Sequence, residues 1–182
     1  QAAAPHGLFL GPAPTYDGAF VGGAVATNAA GAATFKHGAM RAAVRGLTVV
    51  LADGSVLELR RGDVVAHPDG FFEIERTDGS VVRVDVPRYR DPDVPKVSAG
   101  YHAGDGMDLV DLFVGSEGTL GVVTEAVLAL VPRPPSSVLC WLPVREESDG
   151  LEIVRRLRDA SRATWASADP CGVDVPSIEH AD

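Results

Sequence analysis

Asp111-Leu-Phe-Val-Gly-Ser-Glu-Gly-Thr-Leu-Gly-Val-Val-Thr-Glu125 is the stretch on which the fold turns. Leu109, Leu112 and Phe113 space an apolar, helix-like turn that runs into Gly115, Gly118 and Gly121 at three-residue intervals. Val122, Val123 and Thr124 follow and read as a buried strand. Glycines this dense at the mouth of a strand let the backbone turn tightly and approach a ligand with no Cβ between them. A glycine loop joining two core elements has the same spacing, so periodicity alone leaves both readings open.

A second glycine-rich piece lies upstream, Ala19-Phe-Val-Gly-Gly-Ala-Val-Ala-Thr-Asn-Ala-Ala-Gly31. Its small residues suit a short, closely packed helix. A first turn near Gly23 would leave unpaired N–H groups that favour an anion; an Ala-rich helix on a sheet is the alternative. Pro12 and Pro14 fix φ and bias the residues before them to extended backbone, so the entry is an ordered loop. Further along, Leu47–Ala52 and Ser55–Arg60 flank Asp53-Gly54 and predict a hairpin with a two-residue turn. A second hairpin pairs Phe72–Arg76 with Val81–Val86, Val82, Val84 and Val86 sharing one face. Both hairpins read as scaffold. Residues 87–106 are rich in Pro, Asp and Gly and form a long loop. His102, Asp105 and Asp108 lie there without a helical ligand register, which favours a solvated loop over a metal site.

Together these segments resemble the FAD-binding domain of the vanillyl-alcohol-oxidase-like (PCMH-type) flavoproteins, most closely the glycolate oxidase and D-lactate dehydrogenase branch. Gly-Ser-Glu-Gly-Thr-Leu-Gly-Val-Val-Thr-Glu is matched throughout. The resemblance implies FAD as cofactor, held by Pro12, Pro14, Thr15, Gly22, Gly23, Ala26, Thr27, Asn28 and Gly31 and by Glu117, Gly118, Gly121, Val122 and Val123. Phe35-Lys-His-Gly38 resembles the family's Tyr-Gly turn, adds Gly38 to the set, and leads to an expected short helix from Ala39 to Val44. Ala13 and Ala30 depart from the family's usual Asp and Gly, and Val97 from an Asn; Ala13 therefore receives no role. Lys96-Val-Ser-Ala-Gly-Tyr101 matches a family segment that would bring Lys96 and Tyr101 to the flavin cavity.

Beyond Pro132-Arg-Pro-Pro135, a stiff break that we take as a domain boundary, Val138–Val144 reads as a buried strand. Ser148 is expected to cap an amphipathic helix with Leu151, Val154, Leu157 and Ser161 facing the core and Glu152 pairing outward with Arg156. Val175–Asp182 resembles a strand of the family's substrate-cap domain. A β-α-β start cannot close a core alone, so this region should fray or borrow contacts.

Composition narrows the class. A net charge of −9 disfavours a nucleic-acid surface. No apolar run reaches the roughly 20 residues of a membrane span. Cys140 and Cys171 form no Cys-x-x-Cys pattern and read as buried or idle thiols of a reducing cytoplasm, a disulfide between them staying open. Neither a Gly-x-Gly-x-x-Gly fingerprint, nor a P-loop, nor a Gly-x-Ser-x-Gly elbow occurs.

The expected fold class is α+β: the second lobe of a PCMH-type FAD-binding domain over 1–135, with mixed or antiparallel sheet and short flanking helices, then the start of a ferredoxin-like substrate-cap domain over 136–182. Gln1-Ala-Ala-Ala-Pro5 reads as the tail of a helix and the chain as a fragment. The family's Arg-Gly-x-Gly-Thr phosphate loop is not in the sequence. The expected parent is an FAD-dependent oxidoreductase that takes hydride from a small D-2-hydroxy acid of glycolate or D-lactate type and passes electrons to an unassigned acceptor. The isolated chain should bind FAD weakly, and an exposed apolar face should favour its self-association. The resemblance also admits an alkyl-dihydroxyacetone-phosphate synthase or a sugar-lactone oxidase, and the same scaffold would serve a non-catalytic assembly module.

Overall fold

The computed structural model describes residues 2–16, 18–76, 79–94, 97 and 100–180. In chain order the elements are β1 (Leu8–Phe9), α1 (Val21–Ala26), α2 (Thr34–His37), β2 (Val44–Val50), β3 (Val56–Arg60), β4 (Phe71–Glu75) and β5 (Val81–Asp85). There follow α3 (Leu109–Phe113), β6 (Val122–Leu128), β7 (Val131–Pro132) and α4 (Glu147–Ser167). Helices and antiparallel strands interleave, so the fold class is α+β.

The organising sheet has the order β3-β2-β6, antiparallel throughout. β2 is central because its inward residues, Val44, Leu47 and Val49, are β-branched or apolar and are all buried. Gly46 is needed there: a Cβ on it would lie 2.8 Å from the carbonyl oxygen of Leu59. The core gathers those side chains with Val25, Met40, Phe72, Leu109, Val110 and Val114. β4 and β5 form the expected second hairpin, one residue earlier in its first strand, with Phe72 opposite Val84 and with Val82, Val84 and Val86 half-buried.

Several local expectations are corrected. The first hairpin closes through a three-residue loop: Leu51 N–H donates to Ser55 O, Gly54 N–H donates to Leu51 O, and Gly54 alone takes positive φ, +82°. This is the turn-plus-bulge alternative, available because Asp53 keeps negative φ while its carboxylate accepts from Ser55 N–H and Oγ. The expected helix at 39–44 is a single 3₁₀ turn, Met40–Ala42, since Val44 already pairs with Leu128 in the sheet. α1 starts at Val21, so Gly22 and Gly23 both lie in its first turn. β6 is not buried. It is an edge strand whose only ladder partner among the described residues is β2, and Val122 and Val127 are exposed. The strand ends at Leu128, and Val131 lies in β7, which pairs with β1.

The largest misreading concerns residues 138–144, which form no strand; Val138, Leu139, Trp141 and Leu142 are exposed. A strand exists only with a ladder partner, and among the described residues none is offered. Ser148 lies inside α4, whose N-cap is Glu146. The stripe also fails as core: Leu151 and Val154 are exposed, and only Ser161 is fully buried, its Oγ accepting from Val175 N–H at 3.1 Å. Glu152 does pair with Arg156, at 2.8 Å. The described part of Val175–Asp182 forms no strand, and both cysteines are exposed and unpaired rather than buried.

The C-terminal region does borrow contacts, from α2. Lys36 Nζ reaches Asp174 Oδ2 at 2.5 Å, Trp165 Nε1 donates to Asp174 Oδ1 at 2.9 Å, and the Phe35 and Trp165 rings lie 4.9 Å apart. The Lys36 hydrogen bond, then the Trp165 one, hold the Asp174 carboxyl below its ordinary range; burial, then Lys36, holds His37 below its own. A depressed carboxylate contributes stability above its unfolded pKa that is lost as pH falls through the folded one. A depressed imidazole likewise loses stability as pH falls below its ordinary value, because the unfolded state then binds more protons. Acid should therefore weaken the packing of α2 through His37 and release α4 through Asp174. In a Trp141→Phe background, Trp165 emission should shift to the red from neutral pH to about pH 3, and Asp174→Ala should show the shifted emission already at neutral pH. Emission that stays constant while helicity persists would refute this account.

Candidate functional site

The two glycine-rich segments lie side by side. A short helix leaves its last carbonyls without intrahelical partners, and here the motif segment supplies them: Gly115 N–H donates to Val25 O at 3.0 Å and Glu117 N–H to Ala26 O at 2.9 Å. α1 also packs on β6. Positive φ is concentrated at this seam, in Asn28 (+46°), Gly115 (+87°), Glu117 (+52°) and Gly118 (+77°). Asn tolerates that region; Glu117 does not do so readily, so it is a strained residue held by its bond to α1.

Asn28 is buried and spends its amide on the seam, Nδ2 donating to Val97 O at 3.2 Å and Oδ1 accepting from Arg41 N–H at 2.9 Å. It is a clamp for the neighbouring loops. Thr27 Oγ1 turns back to Gly23 O at 2.9 Å. Gly31 is demanded by packing: a Cβ there would sit 2.1 Å from Ala13 O, so the loop of Pro12, Pro14 and Thr15 lies directly on it. Gly121 is demanded in the same way by Val49 and the carbonyl of Val50, both under 3.0 Å from a built Cβ. Gly22, Gly23 and Gly118 are different. A Cβ at any of them would meet nothing within 4 Å. Gly38 stands apart at the end of α2, with φ of +72°.

The floor beneath the seam is an ionic cluster that sequence reasoning missed. Asp111, buried within α3, accepts from Arg61 at 2.8 and 3.0 Å and lies 3.7 Å from Arg41. Arg41 also donates to the carbonyls of Asp111 and Val114, and Arg61 Nε to that of Val44. Asp111 raises the affinity of Arg61 for its proton, while burial lowers that of Arg41 against the pull of Asp111 and Asp91. The available signal was a carboxylate in the middle of Leu109-Val-Asp-Leu-Phe113, which has to be paired if that turn is buried.

Among the described residues, no group of three or more His, Cys, Asp or Glu is placed to hold a metal. His102 Nδ1 bonds to Asp91, Asp105 pairs with Arg90, and Asp108 caps α3 through Val110 N–H while accepting from Gly62 N–H. Tyr101 Oη bonds to Thr119 Oγ1 at 2.7 Å, which ties the long loop to the motif; Lys96 lies outside the described residues.

Residues 1–60 match the family model described as an FAD binding domain. The chain is 33% identical over 154 residues to a D-lactate dehydrogenase of Anaerostipes hadrus, covering 85% of this chain and 25% of that protein. It is 36% identical over 135 residues to glycolate oxidase subunit GlcD of Bacillus subtilis, covering 74% and 21%. With the mitochondrial D-2-hydroxyglutarate dehydrogenase of Bos taurus it shares 37% over 118 residues, covering 65% and 15%. Residues 1–60 belong to the FAD-binding-domain family. The chain spans a quarter or less of the length of these relatives.

The residues present in this FAD-binding domain fit the cofactor. Open backbone at Gly22, Gly23 and Gly118 is a cradle that any side chain would fill. Phe20, Val21 and Val122 border it as exposed apolar surface suited to a flat aromatic ligand. No helix among the described residues is long and apolar enough to cross a membrane.

Proposed function

We propose that this chain supplies one wall of the FAD site in a dehydrogenase or oxidase of a D-2-hydroxy acid, of lactate or glycolate type, within a longer protein. The observation that carries this is the hydrogen-bonded seam of α1 and residues 115–121, with open glycines on both of its sides. The relatives' names supply the substrate class. In this reading 1–135 is the flavin-binding lobe and 136–182 the beginning of the substrate domain, and the protein works in the cytoplasm.

Gly22, Gly23, Gly118 and Val122 face the cofactor directly. Pro12, Pro14, Thr15, Ala26, Thr27, Glu117 and Val123 shape the wall, Asn28, Gly31 and Gly121 hold its backbone in place, and Gly38 turns the chain at the end of α2. FAD would accept the hydride from the carbon bearing the substrate hydroxyl. The chain's own part is to bind and orient the cofactor and to shield one of its faces from water.

One wall offers only part of the donors that a flavin's phosphates require, so affinity should be low without the rest of the protein. Titrating the purified chain with FAD, followed by flavin fluorescence, should give weak binding, at about micromolar or above. The full-length protein should bind tightly and reduce its flavin with D-lactate or glycolate. Nanomolar binding by the chain alone would overturn the need for a second surface, and a full-length protein that retains no flavin would overturn the assignment.

A further inference from the structure

We propose that a second cleft, between the start of β2 and the residues Asp91, Val94 and Val97, binds the oxyanion of a small organic phosphate or carboxylate. The cleft measures about 550 Å³ and is lined by Arg41, Arg45, Arg61, Asp91, His102 and Asp111, among others. Three guanidiniums against two carboxylates leave it cationic. The sequence as a whole carries −9. A local reversal of sign in a concave site concentrates anions there.

The donors are prepared for this. Arg41 is fixed by the carbonyls of Asp111 and Val114, and its Nε has no partner among the described residues. Arg45 is exposed and spends only Nη1, on the carbonyls of Ala42 and Val44, so Nε and Nη2 remain for a ligand. Arg61 is different: Nε, Nη1 and Nη2 are all engaged with Asp111 and backbone carbonyls, so it contributes field rather than contact. His102 is oriented by Asp91 through Nδ1, which leaves Nε2 as its second polar edge. Guanidinium held in advance binds oxyanions through charge-assisted hydrogen bonds with little ordering cost. None of these charged residues belongs to the glycine wall, and the inference does not rest on the flavin reading.

The test is to titrate the chain with inorganic phosphate and, separately, with D-lactate at constant ionic strength, following amide shifts of residues 39–45 and 100–104 by NMR. Saturable shifts are expected with at least one probe, and Arg45→Gln should weaken binding about tenfold with an unchanged fold by circular dichroism. Saturation by phosphate alone assigns a phosphate ligand; saturation by lactate alone, or by both, assigns a carboxylate-accepting site. Shifts that never saturate with either probe, or that are the same in Arg45→Gln, overturn the proposal.

Discussion

Asp111→Ala is expected to lower the unfolding free energy of this chain by about 3–5 kcal/mol, the usual cost of breaking a buried ion pair from one side. The Asp111 side chain is 11% exposed, and Arg61 and Arg41, which it faces, are 28% and 20% exposed. Removing the carboxylate leaves two partly buried guanidiniums without their counter-charge, still held in place by the carbonyls of Val44 and Val114. The loss is mainly this uncompensated charge, not the small volume removed. Asp111→Asn, which keeps an acceptor and the shape, should lose less. Asp111→Ala combined with Arg61→Met should recover part of the loss, because the stranded charge goes with its partner. Urea unfolding of the four proteins measures this directly. A loss below about 1 kcal/mol for Asp111→Ala would mean that water already reaches the cluster.

That cluster also shows what the sequence could and could not carry. The β4–β5 hairpin is legible because its information is local: alternating valines fix the faces, and Gly79 closes the turn with positive φ. The glycine wall is legible through the order of its motifs. The pairing of Asp111 with Arg61 is not, since fifty residues separate the partners and nothing at either position specifies the other. Residues 138–144 fail for the opposite reason. Their apolar content is real, but strand formation depends on a partner edge, which composition does not report. α4 shows the same limit: periodicity gives the stripe and cannot say whether anything covers Leu151 and Val154. The edge position of β6 belongs here too, because a β-branched run looks alike in the middle of a sheet and at its margin.

Glycines that look equivalent in the motif should separate into two classes on substitution by alanine. At Gly31 a Cβ lies 2.1 Å from Ala13 O, a backbone atom that can move only with the Pro12–Thr15 loop. Gly31→Ala should therefore destabilise by about 1–3 kcal/mol, the range for forcing extra volume into a packed site. Gly22 and Gly23 have open space and helical backbone, so alanine there should leave stability unchanged or raise it by up to about 1 kcal/mol. In the full-length protein the order reverses for the cofactor. Methyl groups at Gly22 and Gly23 occupy the surface where FAD would press closest, so these variants should be well folded and poor in flavin. The ratio of bound flavin to protein, measured beside thermal unfolding, tells the two classes apart. If Gly23→Ala keeps both its flavin and its stability, the open face of α1 is not the cofactor surface. A close approach to the backbone is the one property for which an exposed helical glycine has a physical reason here, since its own packing asks for none.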